Sequence, residues 1–320
     1  MKFQTLGLII SFLLLGCAKE NTSFSKKAEQ MTCPPIHGVD KLFSNDGPKF
    51  IIIGESHGMK EPPAFIEALL CHSLSQGLNT GLALEFGNEL GRYETYLKSE
   101  GSDADKAIFY DDWSWKGDFT DGRSSEAMMK LIDKVRLHKL SGQKLRVTLF
   151  RPEYLKSENY ADRNSYSQAF EEESAKNIFD GSQNIDKTIV LVGNFHARRG
   201  RFEFKNISYE HMAQHMPPPN TLTFNVVYRS GTSWSCRGPE PSDCKEYKIG
   251  GVVNPNSSLG QSDEFRIIYN ADEDEIAPFA GVRYRKNWYD RVVYVGSATA
   301  SPPANLDARI PYVAPEEDNK

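Results

Sequence analysis

The sequence predicts an α/β fold, with a mainly parallel central sheet covered by helices on both faces. Three observations predict it. Short runs of β-branched and aliphatic residues recur along the chain, as at 50–53 and 188–192. These runs are continuous rather than alternating, which marks strands buried on both faces. Stretches with apolar residues at helical spacing lie between them and supply the crossover that each parallel pair requires.

The elements follow in order. Strands are expected over 50–53, 80–84, 145–150, 188–192 and 221–227, with helices near 62–76, 88–98, 124–140, 165–179 and 207–215. In the helix near 124–140, Met128, Leu131, Ile132 and Val135 form the apolar face, and Asp121 or Ser124 stands where an N-cap belongs. Trp113 and Trp115 precede that helix and either pack or wall a pocket. The segment 229–262 is rich in Gly, Ser, Pro and Asn and reads as a long loop. Strands over 265–269 and 292–295 complete the sheet. No internal repeat is present.

A chain of 320 residues with 39% hydrophobic and 25% charged side chains can bury a substantial core. Its net charge of -5 lacks the basic footprint of a nucleic-acid binder, so that class of partner is excluded. Met1 and Lys2 precede an apolar run over 6–16 that is too short to span a bilayer. The run ends in Leu14-Leu15-Gly16-Cys17, which resembles the lipobox of bacterial lipoprotein signal peptides. That resemblance implies a signal peptide over 1–16 and a lipid on Cys17, with the membrane as partner in the cell envelope. Ala18 after the cysteine suits the outer membrane where the cell has one. The expected organisation is then a lipidated cysteine and polar tether over 17–45, a single α/β domain over 46–310 and a tail over 311–320.

Four more cysteines follow. Cys236 and Cys244 bracket the loop RGPEPSD and are expected to pair, which leaves Cys33 and Cys71 as the remaining pair. No C-x-x-C occurs, so neither a zinc knuckle nor a thioredoxin-type centre is indicated.

Ligands of open α/β sheets sit beyond the carboxyl ends of the strands. The first run ends in Gly54-Glu55-Ser56-His57-Gly58. The second delivers Glu85 directly after Leu84, with Asn88 and Glu89 in the turn. A later one ends in Gly193-Asn194-Phe195-His196. Two copies of G-x-x-H and a carboxylate therefore stand at three strand ends. His57, Glu85 and His196 would suit a divalent transition metal that activates water, or a metal-free histidine base with a glutamate beside it. Glu55 sits next to that set, and Arg123 would orient a carboxylate or meet an anionic substrate. Arg151 stands where an acidic residue would be expected.

Three further sets are weaker. Arg198, Arg199 and Arg201 read as a solvated basic turn, or one of them neutralises an acidic pocket. His211 and His215 are four apart, but without the glutamate of H-E-x-x-H they read as a surface pair. No G-x-S-x-G elbow and no phosphate-cradling loop is present, which argues against serine hydrolases and nucleotide enzymes.

The ordered set GESH, Glu85 and GNFH resembles the superfamily of erythromycin esterase-like proteins, haem-binding ChaN-like lipoproteins and the TraB/Tiki family. The resemblance covers roughly 50–197, with a looser echo near 289–304. It implies an erythromycin esterase/ChaN-like fold with His57, Glu85 and His196 lining the pocket and Glu55 beside them. Tiki-type members use such residues in metal-dependent peptide cleavage, erythromycin esterases use a histidine base, and ChaN-like lipoproteins bind haem. The single residue between Glu55 and His57 is closer to the ChaN-like spacing, and DGR-S segments like that around Arg123 occur among the relatives. The expected function is hydrolysis of an ester or amide bond in a small-molecule or peptide substrate. The alternative is capture of haem or another ligand without catalysis.

Overall fold

A computed structural model describes residues 32–87, 91–116, 122–238, 241–269 and 288–305. Strands β1 (Ile36–His37), β2 (Phe50–Glu55), β3 (Thr80–Leu84), β4 (Leu145–Leu149) and β5 (Lys187–Gly193) belong to the central sheet. The hairpin β6 (Arg201–Phe204) and β7 (Ile207–Glu210) stands apart from it, and β8 (Thr221–Val227) returns to it. A second hairpin, β9 (Ser230–Cys236) and β10 (Cys244–Gly250), is followed by β11 (Phe265–Ile268) and β12 (Arg291–Tyr294). The eight sheet strands run in the order β1-β11-β12-β8-β2-β5-β3-β4. Every pairing is parallel except that between β11 and β12.

The helices are α1 (Asp40–Phe43), α2 (Glu61–Ser75), α3 (Arg92–Leu97), α4 (Asp103–Tyr110), α5 (Glu126–Leu140) and α6 (Arg163–Gly181). The chain moves outward from β2 through β3 to β4, then turns back to insert β5 between β2 and β3. Right-handed crossovers in opposite directions place α2 and α5 on one face of the sheet and α6 on the other. Phe50, Ile52, Ala83, Val190 and Val192 accordingly pack with Ala175 and Ile178 of α6. Every residue of β2, β3 and β5 is buried, which is why their sequences show no polar alternation.

Several expectations change. Within the stretch expected as tether, Ile36 and His37 pair with Phe265 and Arg266, and Leu42 and Phe43 are buried. The Cys33–Cys71 disulfide also fastens this segment to α2. The helix expected over 207–215 is instead strand β7 followed by a 3-10 turn at Met212–His215. Ile207 and Tyr209 favour strand, β6 offers a mate, and Pro217 closes the turn. Within the expected loop at 229–262, β9 and β10 form a seven-pair hairpin in which Cys236 lies opposite Cys244 and is disulfide-bonded to it. The cap of α5 is Ser125, whose hydroxyl accepts from Met128 N–H. Helix α4 was not expected, although Ser102 and Asp105 form a reciprocal capping box at its start.

Residues 1–31, Asn88, Glu89, Asp121 and 306–320 lie outside the described residues, and with them the signal peptide, Cys17 and the tail. No described helix is long and apolar enough to cross a membrane.

Candidate functional site

The order β2-β5-β3-β4 decides the site, because it sets four successive strand ends side by side. Glu55 is the last residue of β2, with His57 beyond it. Gly193 is the last of β5, and Glu85 follows β3. Arg151 follows β4.

The two motif glycines serve each other rather than a turn. Neither Gly54 nor Gly193 has a positive φ. A Cβ on Gly54 would come within 2.7 Å of Ala197 Cβ and 3.0 Å of Asn194 Cα, so its absence admits the loop that carries His196. A Cβ on Gly193 would stand 3.1 Å from His57 Nε2, so its absence admits the histidine of the other motif. Asn194 N–H donates to Glu55 C=O at 2.7 Å and locks the two loops together.

His57 donates from Nδ1 to Glu55 Oε1 at 3.1 Å and turns Nε2 toward Glu85 Oε2 at 3.8 Å. His196 repeats the arrangement. Its Nδ1 lies 2.8 and 2.9 Å from the two oxygens of Glu171, and its Nε2 is 3.8 Å from Glu85 Oε1. Glu85 thus stands between two carboxylate-backed imidazoles. It also accepts from Arg123 at 2.8 Å and from Gly193 N–H at 2.8 Å, with Arg151 4.0 Å away. Glu55, Glu85 and Glu171 are all buried, as charged groups are when well paired.

The electrostatics follow from these contacts. Burial works against charge on Glu85, but His196, Arg123, His57 and the Gly193 N–H outweigh it and hold the carboxyl below the ordinary value. Burial likewise opposes the proton on His196, yet Glu171 and Glu85 raise that imidazole above its ordinary value. His196 is therefore biased toward its charged form.

All five expected residues, His57, Glu85, His196, Glu55 and Arg123, meet at this edge. Glu171 was missed. It lies in the run Glu171-Glu172-Glu173 of α6, but Glu171, Ser174, Ala175 and Ile178 form the buried stripe of that helix. A glutamate at an inward helical position is the signal that could have found it. Arg151 joins the cluster rather than leaving a gap in it.

The remaining sets are structural. Arg199 donates to Asp290, Ala213 C=O and Thr221 C=O, and Arg198 lies over the rings of Trp288 and Phe195. Arg201 bonds Ser208 on the neighbouring strand. His211 is not a surface residue. It is buried against Phe195, Phe202 and Tyr209, and burial, with Arg198 and His196 nearby, pushes its imidazole down to about 3. His215 bonds Gln168 instead, since a 3-10 turn does not align residues four apart. Trp115 is core, stacked on Phe86.

The donor set does not fit a cation. Both Glu85 oxygens are engaged by Arg123 and Gly193 N–H, and two guanidinium groups lie beside them. Among the described residues no group of three or more His, Cys, Asp or Glu side chains is arranged to hold a metal ion. For haem, both Nε2 atoms turn toward a carboxylate rather than toward an apolar slot.

No protein-family model matches the sequence, and no curated protein matches it. Solved structures do. A variant of the erythromycin esterase EreC in its open conformation superimposes with a TM-score of 0.55 at 10% identity, over 81% of this chain and 92% of that one. The fold is erythromycin esterase-like. A succinoglycan biosynthesis protein aligns with a TM-score of 0.54 at 13% identity, covering 82% and 91% of the two chains. A Bacillus cereus protein gives 0.54 at 13%, covering 81% and 90%. At these identities the likeness concerns the erythromycin esterase-like fold alone.

Proposed function

We propose that this protein hydrolyses an ester or amide bond by metal-free acid–base catalysis. The observation that carries the reading is the pair of carboxylate-backed histidines with both Nε2 atoms 3.8 Å from the Glu85 carboxylate. His57, as neutral imidazole, takes a proton from water through Nε2 while the water oxygen bonds to the substrate carbonyl carbon. The charge developing on the carbonyl oxygen is met by Arg123 and Arg151. His196, whose imidazole Glu171 and Glu85 raise above its ordinary value, gives its proton to the departing oxygen or nitrogen as that bond breaks. Glu85 orients both rings and the two arginines. The erythromycin esterase activity of one structural neighbour belongs to that protein, and it supports the choice of reaction class here.

The reading also places the enzyme at an envelope membrane through a lipid on Cys17, supported by the lipobox-like Leu14-Leu15-Gly16-Cys17. Metabolic labelling with a fatty acid, lost in Cys17→Ala, tests that half of it.

The hydrolytic half is tested with purified protein on a panel of esters, lactones and amides. His57→Ala and His196→Ala should each lower turnover by about 10²–10⁴-fold with an unchanged circular dichroism spectrum. Full activity in either variant overturns the assignment.

A further inference from the structure

We propose that Glu171 is the positioning residue of this site: its carboxylate holds His196 in the tautomer with the proton on Nδ1, leaving Nε2 as the atom that exchanges protons. The kinetic half of the test rests on the hydrolytic reading above, but the tautomer does not.

Four features of the geometry support this. The grip is two-sided, with Nδ1 at 2.8 and 2.9 Å from the Glu171 oxygens, where Glu55 offers His57 one oxygen at 3.1 Å. The carboxylate is itself held, since Glu171 Oε2 accepts from Met212 N–H at 2.7 Å and the residue is 2% exposed. The same segment also fixes the histidine's backbone, because Ala213 N–H donates to His196 C=O at 3.1 Å. Two consecutive N–H groups of the 3-10 turn thus fasten the carboxylate and the histidine it serves. The ring is flanked by Phe170 and Phe195, with centroids at 6.2 and 5.9 Å.

An acceptor-only carboxylate can bond Nδ1 only when that nitrogen carries hydrogen. It therefore disfavours the Nε2–H form, in which the ring would present no lone pair toward Glu85 and the substrate side. The charged groups facing the ring are Glu171 from α6, Glu85 from the end of β3 and Arg123 from before α5, with the titratable His211 behind it. Glu171 is the one that contacts Nδ1.

The test compares wild type with Glu171→Ala and Glu171→Gln. Long-range ¹H–¹⁵N spectra, taken above the folded-state value of His196 where the ring is neutral, read its tautomer directly. Wild type should show Nδ1–H, and Glu171→Ala should move to Nε2–H, with kcat down on the order of 100-fold and KM little changed. Glu171→Gln keeps an oxygen acceptor without the charge. It should retain Nδ1–H, recover much of the rate and displace the acid limb of the pH profile. This variant keeps the test decisive should the alanine variant fail to fold. An unchanged tautomer in Glu171→Ala, or an unmoved profile in Glu171→Gln, overturns the proposal. Should the wild type hydrolyse nothing on the panel, the hydrolytic reading fails while the tautomer still decides the role of Glu171.

Discussion

Glu85, just beyond β3, is fastened to Gly193, the last residue of β5, by a 2.8 Å hydrogen bond from backbone N–H to carboxylate. This bond joins neighbouring strands at the point where the active groups converge. It leaves the second Glu85 oxygen to Arg123. The carboxylate is therefore oriented from both sides before any substrate arrives.

The first prediction tests that crowding. In Gly193→Ala the new methyl would stand 3.1 Å from His57 Nε2, 3.5 Å from Glu85 Oε2 and 3.6 Å from His196 Cδ2. The backbone is compatible with alanine, so the fold should survive. The methyl should displace the His57 ring and lower kcat by at least about 10-fold, because sub-ångström misplacement of reacting groups is costly. Paired kinetics and thermal melts check this, and wild-type kcat refutes it.

His196 should give stability a pH dependence of defined sign. Its folded-state value is raised above 6.5 by Glu171 and Glu85 against the opposing effect of burial. The stabilisation is thus fully present below 6.5 and is lost as pH rises through the folded value. Glu85, lowered from 4.5, acts on the other side, stabilising above that value and failing as pH falls through its folded value. Urea midpoints across pH should decline on the alkaline side in wild type and flatten there in His196→Asn. An identical decline in both proteins contradicts the assignment.

Away from the site, Lys187 closes the amino end of β5. Its ammonium donates to the carbonyls of Ser44, Gly47 and Pro48 at 3.0, 2.9 and 3.1 Å. Lys187→Met preserves most of the volume but leaves those acceptors without the ammonium. A loss of about 2 kcal/mol is expected, measured by chemical denaturation, with activity unaffected at saturating substrate.

The disulfides should differ in weight. Cys33–Cys71 closes a separation of 38 residues and Cys236–Cys244 one of 8. On loop-closure entropy their removal should cost about 4 and about 2.5 kcal/mol, respectively. Serine replacement of each pair, compared by denaturant midpoint, checks the order. A larger loss from the hairpin pair would show that β9 and β10 carry more of the fold than their loop length suggests.

Much of this was legible in the chain. Continuous apolar runs marked the buried strands, and the residues just past 53, 84 and 192 marked an active edge. These signals are local, since burial on both faces removes polar alternation and a strand end exposes whatever follows it. The strand order was not legible. Nothing in the linear pattern says that β5 inserts between β2 and β3, yet that insertion brings His57, His196 and Glu85 together. Glu171 was hidden for the same reason. Its helical register with Ser174, Ala175 and Ile178 marks it as inward among three consecutive glutamates, but only the packed sheet decides which histidine it meets. Gly54 and Gly193, shared by the two motifs, make room for each other's loops across two strands without a positive φ, whereas Gly58 takes the left-handed turn. Sequence by itself determined the buried strands of the central sheet and the strand ends that carry His57, Glu85 and His196. Tertiary structure decided which carboxylate backs which histidine, because that depends on distances between segments that only the assembled sheet sets.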